Sequence, residues 1–225
     1  MAIKYINVVG LVAGCVLAVA SMGTLAQDSL QGNAEAGKSK TAACAGCHGA
    51  DGNSASPNFP KLAGQGEDYL VKQLEDFKYG TRINPIMQGQ VAGLKPQDMA
   101  DIAAYYAEQE STYGKADPEL VLLGKQVFLG GNVETGVAAC AACHGATGAG
   151  AEAAGYPRLA GQQSDYMVGQ LKAFRAAGRD DMIPASQKRT NDSEDGVSSG
   201  MMQDIAARMS DKEIVAVSSY MSGLY

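Results

Sequence analysis

Cys44-Ala-Gly-Cys-His48 recurs as Cys140-Ala-Ala-Cys-His144, and the two copies hold four of the five cysteines and both histidines of the chain. Two thiols spaced by two residues reach the two vinyl groups of one haem while the adjoining imidazole turns onto the iron, so C-x-x-C-H is an attachment sequence for c-type haem. Each copy supplies two tethers, Cys44 with Cys47 or Cys140 with Cys143, and one axial ligand, His48 or His144. Zinc sites and redox disulfides also use C-x-x-C pairs. Zinc ribbons place their pairs a short loop apart, however. Here the pairs lie 96 residues apart, each followed by a histidine that neither chemistry requires.

The repeat extends well beyond the motif. Phe59-Pro-Lys-Leu-Ala-Gly-Gln65 returns as Tyr156-Pro-Arg-Leu-Ala-Gly-Gln162, and Tyr69, Leu74, Phe77 and Arg82 return as Tyr166, Leu171, Phe174 and Arg179, all at an offset of 97. Further on the offset is 115, where Met87 matches Met202, Asp98 Glu213, Met99 Ile214, Ile102 Val217 and Tyr105 Tyr220. A repeat of this length is one structural unit used twice. The alignment places an 18-residue insertion in the second copy at 183–200, whose polar, Gly/Ser-rich character predicts a tolerated surface loop. Ser111 to Pro118 reads as a short linker, so lobes of 27–113 and 114–225 are expected to touch.

Within each lobe the apolar spacing is helical. Tyr69, Leu70, Gln73, Leu74 and Phe77 share one face of a segment that ends at Gly80, a residue suited to a C-cap. Ser210-Asp-Lys-Glu213 is a capping box opening a helix through Ile214, Val217 and Tyr220, and its counterpart starts at Pro96 and carries Met99, Ile102 and Tyr106. Helices are also expected near 34–41 and 119–129. No alternating strand pattern stands out, so both lobes are predicted to be all-α. A lobe of this size, in a chain with 6% aromatics and no tryptophan, is short of core material, and haem supplies the missing apolar bulk.

The sixth iron ligand follows from the histidine count. With His48 and His144 each committed to its own haem, the candidates are methionine, lysine or an open position. Any one of the ten methionines is by default core filler, but repeat symmetry singles out Met87 and Met202, each eight residues ahead of the start of a C-terminal helix. Met201 is the near rival and Met182 a weaker one. His/Met ligation raises the reduction potential and leaves a coordinatively full iron, which suits a carrier of single electrons. Pro60 and Pro157 are placed to offer carbonyls to the other nitrogen of each ligating imidazole.

The N-terminus carries an address. Lys4, an apolar run from Val8 to Ala20 and the small-x-small Thr24-Leu25-Ala26 form a signal peptide over residues 1–26. Covalent haem attachment in bacteria occurs on the exported side of the membrane, so the expected location is the periplasm. Val12-Ala13-Gly14-Cys15 offers a competing lipoprotein box with an anchor at Cys15, although the apolar run continues past it. Cleavage leaves 17 basic and 24 acidic side chains, a net of −7. That balance disfavours nucleic acid and suits a basic patch on a membrane complex, while ordinary solubility explains it equally well.

Over essentially its whole mature length the chain resembles the cytochrome c4 family, dihaem proteins made of two class I cytochrome c lobes in tandem. The residues that carry the resemblance are Cys44-Ala-Gly-Cys-His-Gly-Ala-Asp-Gly-Asn-Ser54, Pro57-Asn-Phe-Pro-Lys-Leu-Ala-Gly-Gln65, Tyr156-Pro-Arg-Leu-Ala-Gly-Gln162, Asp204-Ile-Ala-Ala-Arg208 and Ser218-Ser-Tyr220. The resemblance implies two covalent haem c groups, Met87 and Met202 in the family's ligand positions, and shuttling between a membrane-bound quinol-oxidising complex and a terminal oxidase. It implies an electron carrier rather than an enzyme, a monomer with no small-molecule substrate. Two alternatives stay open: a fixed electron-entry subunit of an oxidase or dehydrogenase complex, and a dihaem peroxidase with one open iron, which lacks a spare histidine for acid/base work.

Overall fold

A computed structural model describes residues 30–193 and 200–225. The expected signal peptide with Cys15, the first residues of the N-terminal lobe and part of the insert lie outside the described residues. The N-terminal lobe comprises α1 (Ala34–Lys38), α2 (Ala42–His48), α3 (Glu67–Tyr79), α4 (Pro85–Val91) and α5 (Pro96–Ala107). The C-terminal lobe repeats this order as α6 (Val121–Gly130), α7 (Ala141–His144), α8 (Ser164–Gly178), α9 (Met201–Ala206) and α10 (Asp211–Ser222). Among the described residues there is no strand, only single bridges at Asn132–Val137 and Ala151–Tyr156. The all-α expectation holds.

Each lobe is built on the crossing of its first and last helices, α1 on α5 and α6 on α10. Glycine makes both crossings possible. A Cβ on Gly37 would stand 1.9 Å from the Asp101 carbonyl oxygen, and one on Gly124 2.3 Å from that of Ala216. Asp101 and Ala216 are equivalent at the offset of 115, so the same close approach is used twice. Around the crossings gather the apolar cores: Leu70, Ile102, Ala103 and Tyr106 with Cys44 and Leu74 at their edge, and Val127, Phe128, Met209, Ile214 and Val217 with Cys140 and Leu171 at theirs. The long helices α3 and α8 thus line the side of each lobe that carries a tethering cysteine.

Local signals set the helix ends. Gly80 caps α3 in the left-handed conformation at φ 82°, and the Ser210/Glu213 box closes the start of α10, with the Glu213 amide donating to Ser210 Oγ and Ser210 N–H donating to Glu213 Oε2. Helices α4 and α9, which the apolar periodicity did not predict, are short and take their starts from single acceptors. Asn84 Oδ1 accepts from the Ile86 and Met87 amides, and Asp192 Oδ2 from those of Met202 and Gln203.

The lobes touch, as the short linker predicts, and they do so through equivalent residues. Gln65 donates to the Arg158 carbonyl and accepts from the Arg158 amide at 3.0 and 2.7 Å; Gln162 does the same with Lys61 at 2.9 and 2.7 Å. Both glutamines and both partners are 97 residues apart, so the interface relates the lobes by an internal pseudo-twofold axis, the intrachain counterpart of an isologous dimer contact.

A second symmetric set corrects the repeat alignment. Arg82 Nη1 donates to Gln73 of its own lobe, and Nη2 to Tyr166 and Gln170 of the other. Arg189 mirrors it, donating through Nη1 to Gln170 and through Nη2 to Tyr69 and Gln73. The guanidinium carbons lie 4.6 and 4.4 Å from the Phe77 and Phe174 ring centres. Arg189, not Arg179, is therefore the structural equivalent of Arg82. Arg179 instead donates to the carbonyls of Ala207 and Met209. The inserted residues divide into a group before Arg189 and a group after it. The expected surface loop accordingly holds an interface segment, with Arg189 and Asn191 buried and Lys72 donating to the Asn191 carbonyl.

Candidate functional site

The two haem-attachment sequences occupy equivalent short helices. In α2, Cys44 is half-buried and Cys47 exposed; the tethers of the second copy, Cys140 and Cys143, are both half-buried, and none of the four is paired in a disulfide. Burial pushes the Cys44 thiol up, and the Cys140 thiol up to about 11. The two pairs do not converge: among the described residues no group of three or more His, Cys, Asp or Glu side chains could hold a metal ion. The geometry gives no support to a zinc knot built from all four thiolates.

Each histidine closes its helix and is buried. His48 Nδ1 lies 2.9 Å from the Pro60 carbonyl and His144 Nδ1 2.9 Å from that of Pro157. A carbonyl only accepts, so Nδ1 carries the proton and Nε2 keeps its lone pair, the form in which imidazole binds iron. Burial holds both imidazoles below the ordinary histidine value, which favours the same neutral form. Phe59 and Tyr156, also equivalent, stand edge-on to the two rings at 6.2 and 6.0 Å. Two thiols for covalent attachment beside an imidazole of fixed tautomer are the donor set that haem c requires. Tyr106 is fully buried in the N-terminal core that Cys44 borders.

The methionines divide by environment. Met87 on α4 and Met202 on α9 are half-buried. Met201 is 57% exposed, with its sulfur 3.9 Å from the Tyr156 hydroxyl, and Met182 is fully exposed. Met99, Met167, Met209 and Met221 are buried core residues.

A sequence profile described as Cytochrome c matches residues 34–108 and 122–224. The chain is 48% identical to cytochrome c4 of Pseudomonas aeruginosa over 86% of its own length and 90% of that protein. The reduced recombinant cytochrome c4 of Pseudomonas stutzeri has the same fold, with a TM-score of 0.77 at 44% identity, covering 86% of this chain and all of that one. The chain belongs to the cytochrome c4 family. As a cytochrome c4 it is a dihaem electron carrier of two tandem cytochrome c lobes with covalent haem c, not an enzyme. It is also 36% identical, over 94% of its length and 93% of the relative's, to a thiosulfate dehydrogenase electron acceptor of Stutzerimonas stutzeri.

The residues that join the two sites were only partly visible in the sequence. Gln65 and Gln162 end the repeated heptapeptide, and Gln73 and Gln170 keep the offset of 97, a signal that would have found them. Arg189 gave none, because Arg179 stands where the offset places the second arginine.

Proposed function

We propose that this cytochrome c4 is a periplasmic shuttle that carries single electrons from a membrane-bound quinol-oxidising complex to a terminal oxidase. It works as a monomer of lobes 27–113 and 114–225, in which Met87 and Met202 would supply the second protein ligand to the irons that His48 and His144 would hold. Haem c, when bound, supplies an iron that alternates between ferrous and ferric states. Cys44, Cys47, Cys140 and Cys143 hold the groups in place, so cofactor loss does not compete with turnover. The Pro60 and Pro157 carbonyls orient the two imidazoles and keep them in one tautomer, which limits rearrangement when charge changes.

The observation that carries the ligand reading is the half-burial of Met87 and Met202, at equivalent places on equivalent short helices, against the exposure of Met201 and Met182. A ligating sulfur must face inward yet lie outside the packed core. The signal peptide at 1–26 and the site of covalent haem attachment support the periplasm. Among the described residues no helix is long and apolar enough to cross a membrane.

A second reading of the partner, as the acceptor of a dedicated soluble dehydrogenase, is favoured by the similarity to a thiosulfate dehydrogenase electron acceptor. Stopped-flow reduction of the purified dihaem protein by each donor separates the two. Rapid reduction by quinol-oxidising membranes, followed by reoxidation on adding oxidase, supports the shuttle; reduction by a thiosulfate dehydrogenase alone replaces it.

A further inference from the structure

Two consecutive residues of the inserted segment bind opposite lobes. Asn191 Nδ2 donates to Gln73 Oε1 at 3.1 Å and to Asp76 Oδ2 at 2.6 Å, both on α3 of the N-terminal lobe, and the Asn191 carbonyl accepts from Lys72 Nζ of the same helix at 2.8 Å. The next residue faces the other way. Asp192 Oδ2 accepts from the Met202 and Gln203 amides at 2.7 and 3.2 Å, and Asp192 Oδ1 from Gln203 Nε2 at 2.7 Å, all on α9 of the C-terminal lobe. Gly200 makes room for this contact. Its φ of −77° suits any residue, yet a Cβ there would stand 2.2 Å from Asp192 Cγ.

Helix α9 has six residues, too few to keep its shape without outside partners. The equivalent methionines are fixed by different means. Asn84, which starts α4, lies three residues before Met87, whereas Asp192 lies ten before Met202 and belongs to a segment seated on the N-terminal lobe. We infer that Asp192 is a positioning residue for Met202 and that Asn191 anchors it, so that the methionine of the second iron is held in place across the lobe interface. The inference rests on the reading of Met202 as that iron's ligand. Neither Asp192 nor Asn191 need touch the haem, because both act through α9. With the carboxylate removed, the first turn of α9 loses its acceptors and the Met202 sulfur is released more often.

The test follows cyanide binding to the oxidised full-length dihaem protein through loss of the sulfur-to-iron band. Cyanide enters only after the methionine has left, so each iron gives one phase whose rate reports how often its ligand is released. Met202→Ala removes one phase and thereby labels that of the second iron. Asp192→Ala and Gly200→Ala are each expected to speed this phase about five- to tenfold, the equivalent of one lost helix cap, and to leave the other unchanged. Asn191→Ala, which removes donors to α3, is expected to speed the same phase. Asp192→Asn, which keeps an acceptor for both amides, is expected to restore most of the slow rate. A second-iron phase unchanged in Asp192→Ala or in Asn191→Ala, or both phases accelerated alike, overturns the proposal. Failure of the ligand reading has a different signature: Met202→Ala then keeps the whole band, whatever the other variants do. Should the variants not fold, amide exchange in the unsubstituted holoprotein decides. The Met202 and Gln203 amides must be protected there, and free exchange at both overturns the clamp.

Discussion

Gln65 and Arg158 are joined by two hydrogen bonds between lobes, the glutamine amide meeting both main-chain groups of the arginine at 3.0 and 2.7 Å. The same side chain supplies a donor and an acceptor, and Gln162 repeats the arrangement on Lys61. Replacing Gln65 or Gln162 by alanine leaves a main-chain N–H and C=O without partners at the interface, a cost of about 1–3 kcal/mol each. Glutamate in place of either glutamine keeps the size but loses the donor. Calorimetry of the holoprotein is expected to show one transition for the unsubstituted chain and two separated transitions for the double alanine variant. A single undivided transition in that variant would show that the lobes are coupled by other contacts.

Substitution of Met87 or Met202 by alanine is expected to remove about half of the far-red sulfur-to-iron charge-transfer absorbance of the oxidised protein, because each supplies one of two thioether ligands. Met201→Ala is expected to leave the band intact. Loss of the band in that variant would transfer the assignment to the more exposed neighbour.

Gly37→Ala and Gly124→Ala force a methyl group into a carbonyl oxygen of the facing helix. Neither α5 nor α10 can move away without opening its core, so each substitution is expected to cost at least about 1–3 kcal/mol, read from denaturant midpoints. Gly169→Ala, on the exposed side of α8 where no atom lies within 4 Å of the added carbon, is the contrasting control and is not expected to destabilise.

Asp101 links the two crossing helices of the N-terminal lobe, accepting from Lys40, Gln97 and the Asn33 amide. The Lys40 ammonium foremost, then Gln97, holds its carboxyl below the usual carboxylate range. A group whose folded-state value is depressed stabilises the fold above its unfolded value of about 3.9 and loses that contribution as pH falls through the folded value. Asp101→Asn is therefore expected to be less stable than the unsubstituted protein at pH 7, with the difference shrinking below about pH 4. Melting temperatures across that range check the sign; a gap that widens on acidification would contradict it.

Cys44→Ala or Cys143→Ala removes one tether and is expected to yield little folded protein, since each core lacks bulk without its haem. Circular dichroism and thermal melts of the haem-free chain test this, and a cooperative native-like melt would refute it.

The sequence made most of the architecture legible because the signals were local or repeated. The Ser210 box, Gly80 and the apolar faces of α3 and α10 each announce a helix through nearby residues. Helices α4 and α9 were not announced, because single side-chain acceptors such as Asn84 and Asp192 set them rather than any periodicity. The histidine partners at Pro60 and Pro157 could be anticipated from repeat logic, since both prolines stand second in the same repeated motif. Arg189 could not. Its role is defined by where an inserted segment folds back, and Arg179 occupied the matching place in the alignment while making unrelated bonds to the carbonyls of Ala207 and Met209, just past the end of α9.

The pseudo-twofold contact between Gln65, Gln162 and their partners also bears on behaviour at low concentration. Two separate lobes meeting through such a surface would part on dilution, whereas the linker through Ser111 to Pro118 makes their encounter intramolecular, with an effective local concentration independent of how much protein the compartment holds. The covalent join further distinguishes the halves: a true homodimer must carry the same side chain twice, but here Tyr106 stands in one core where Met221 stands in the other. Two redox centres can thus diverge in chemical surroundings while remaining permanently paired.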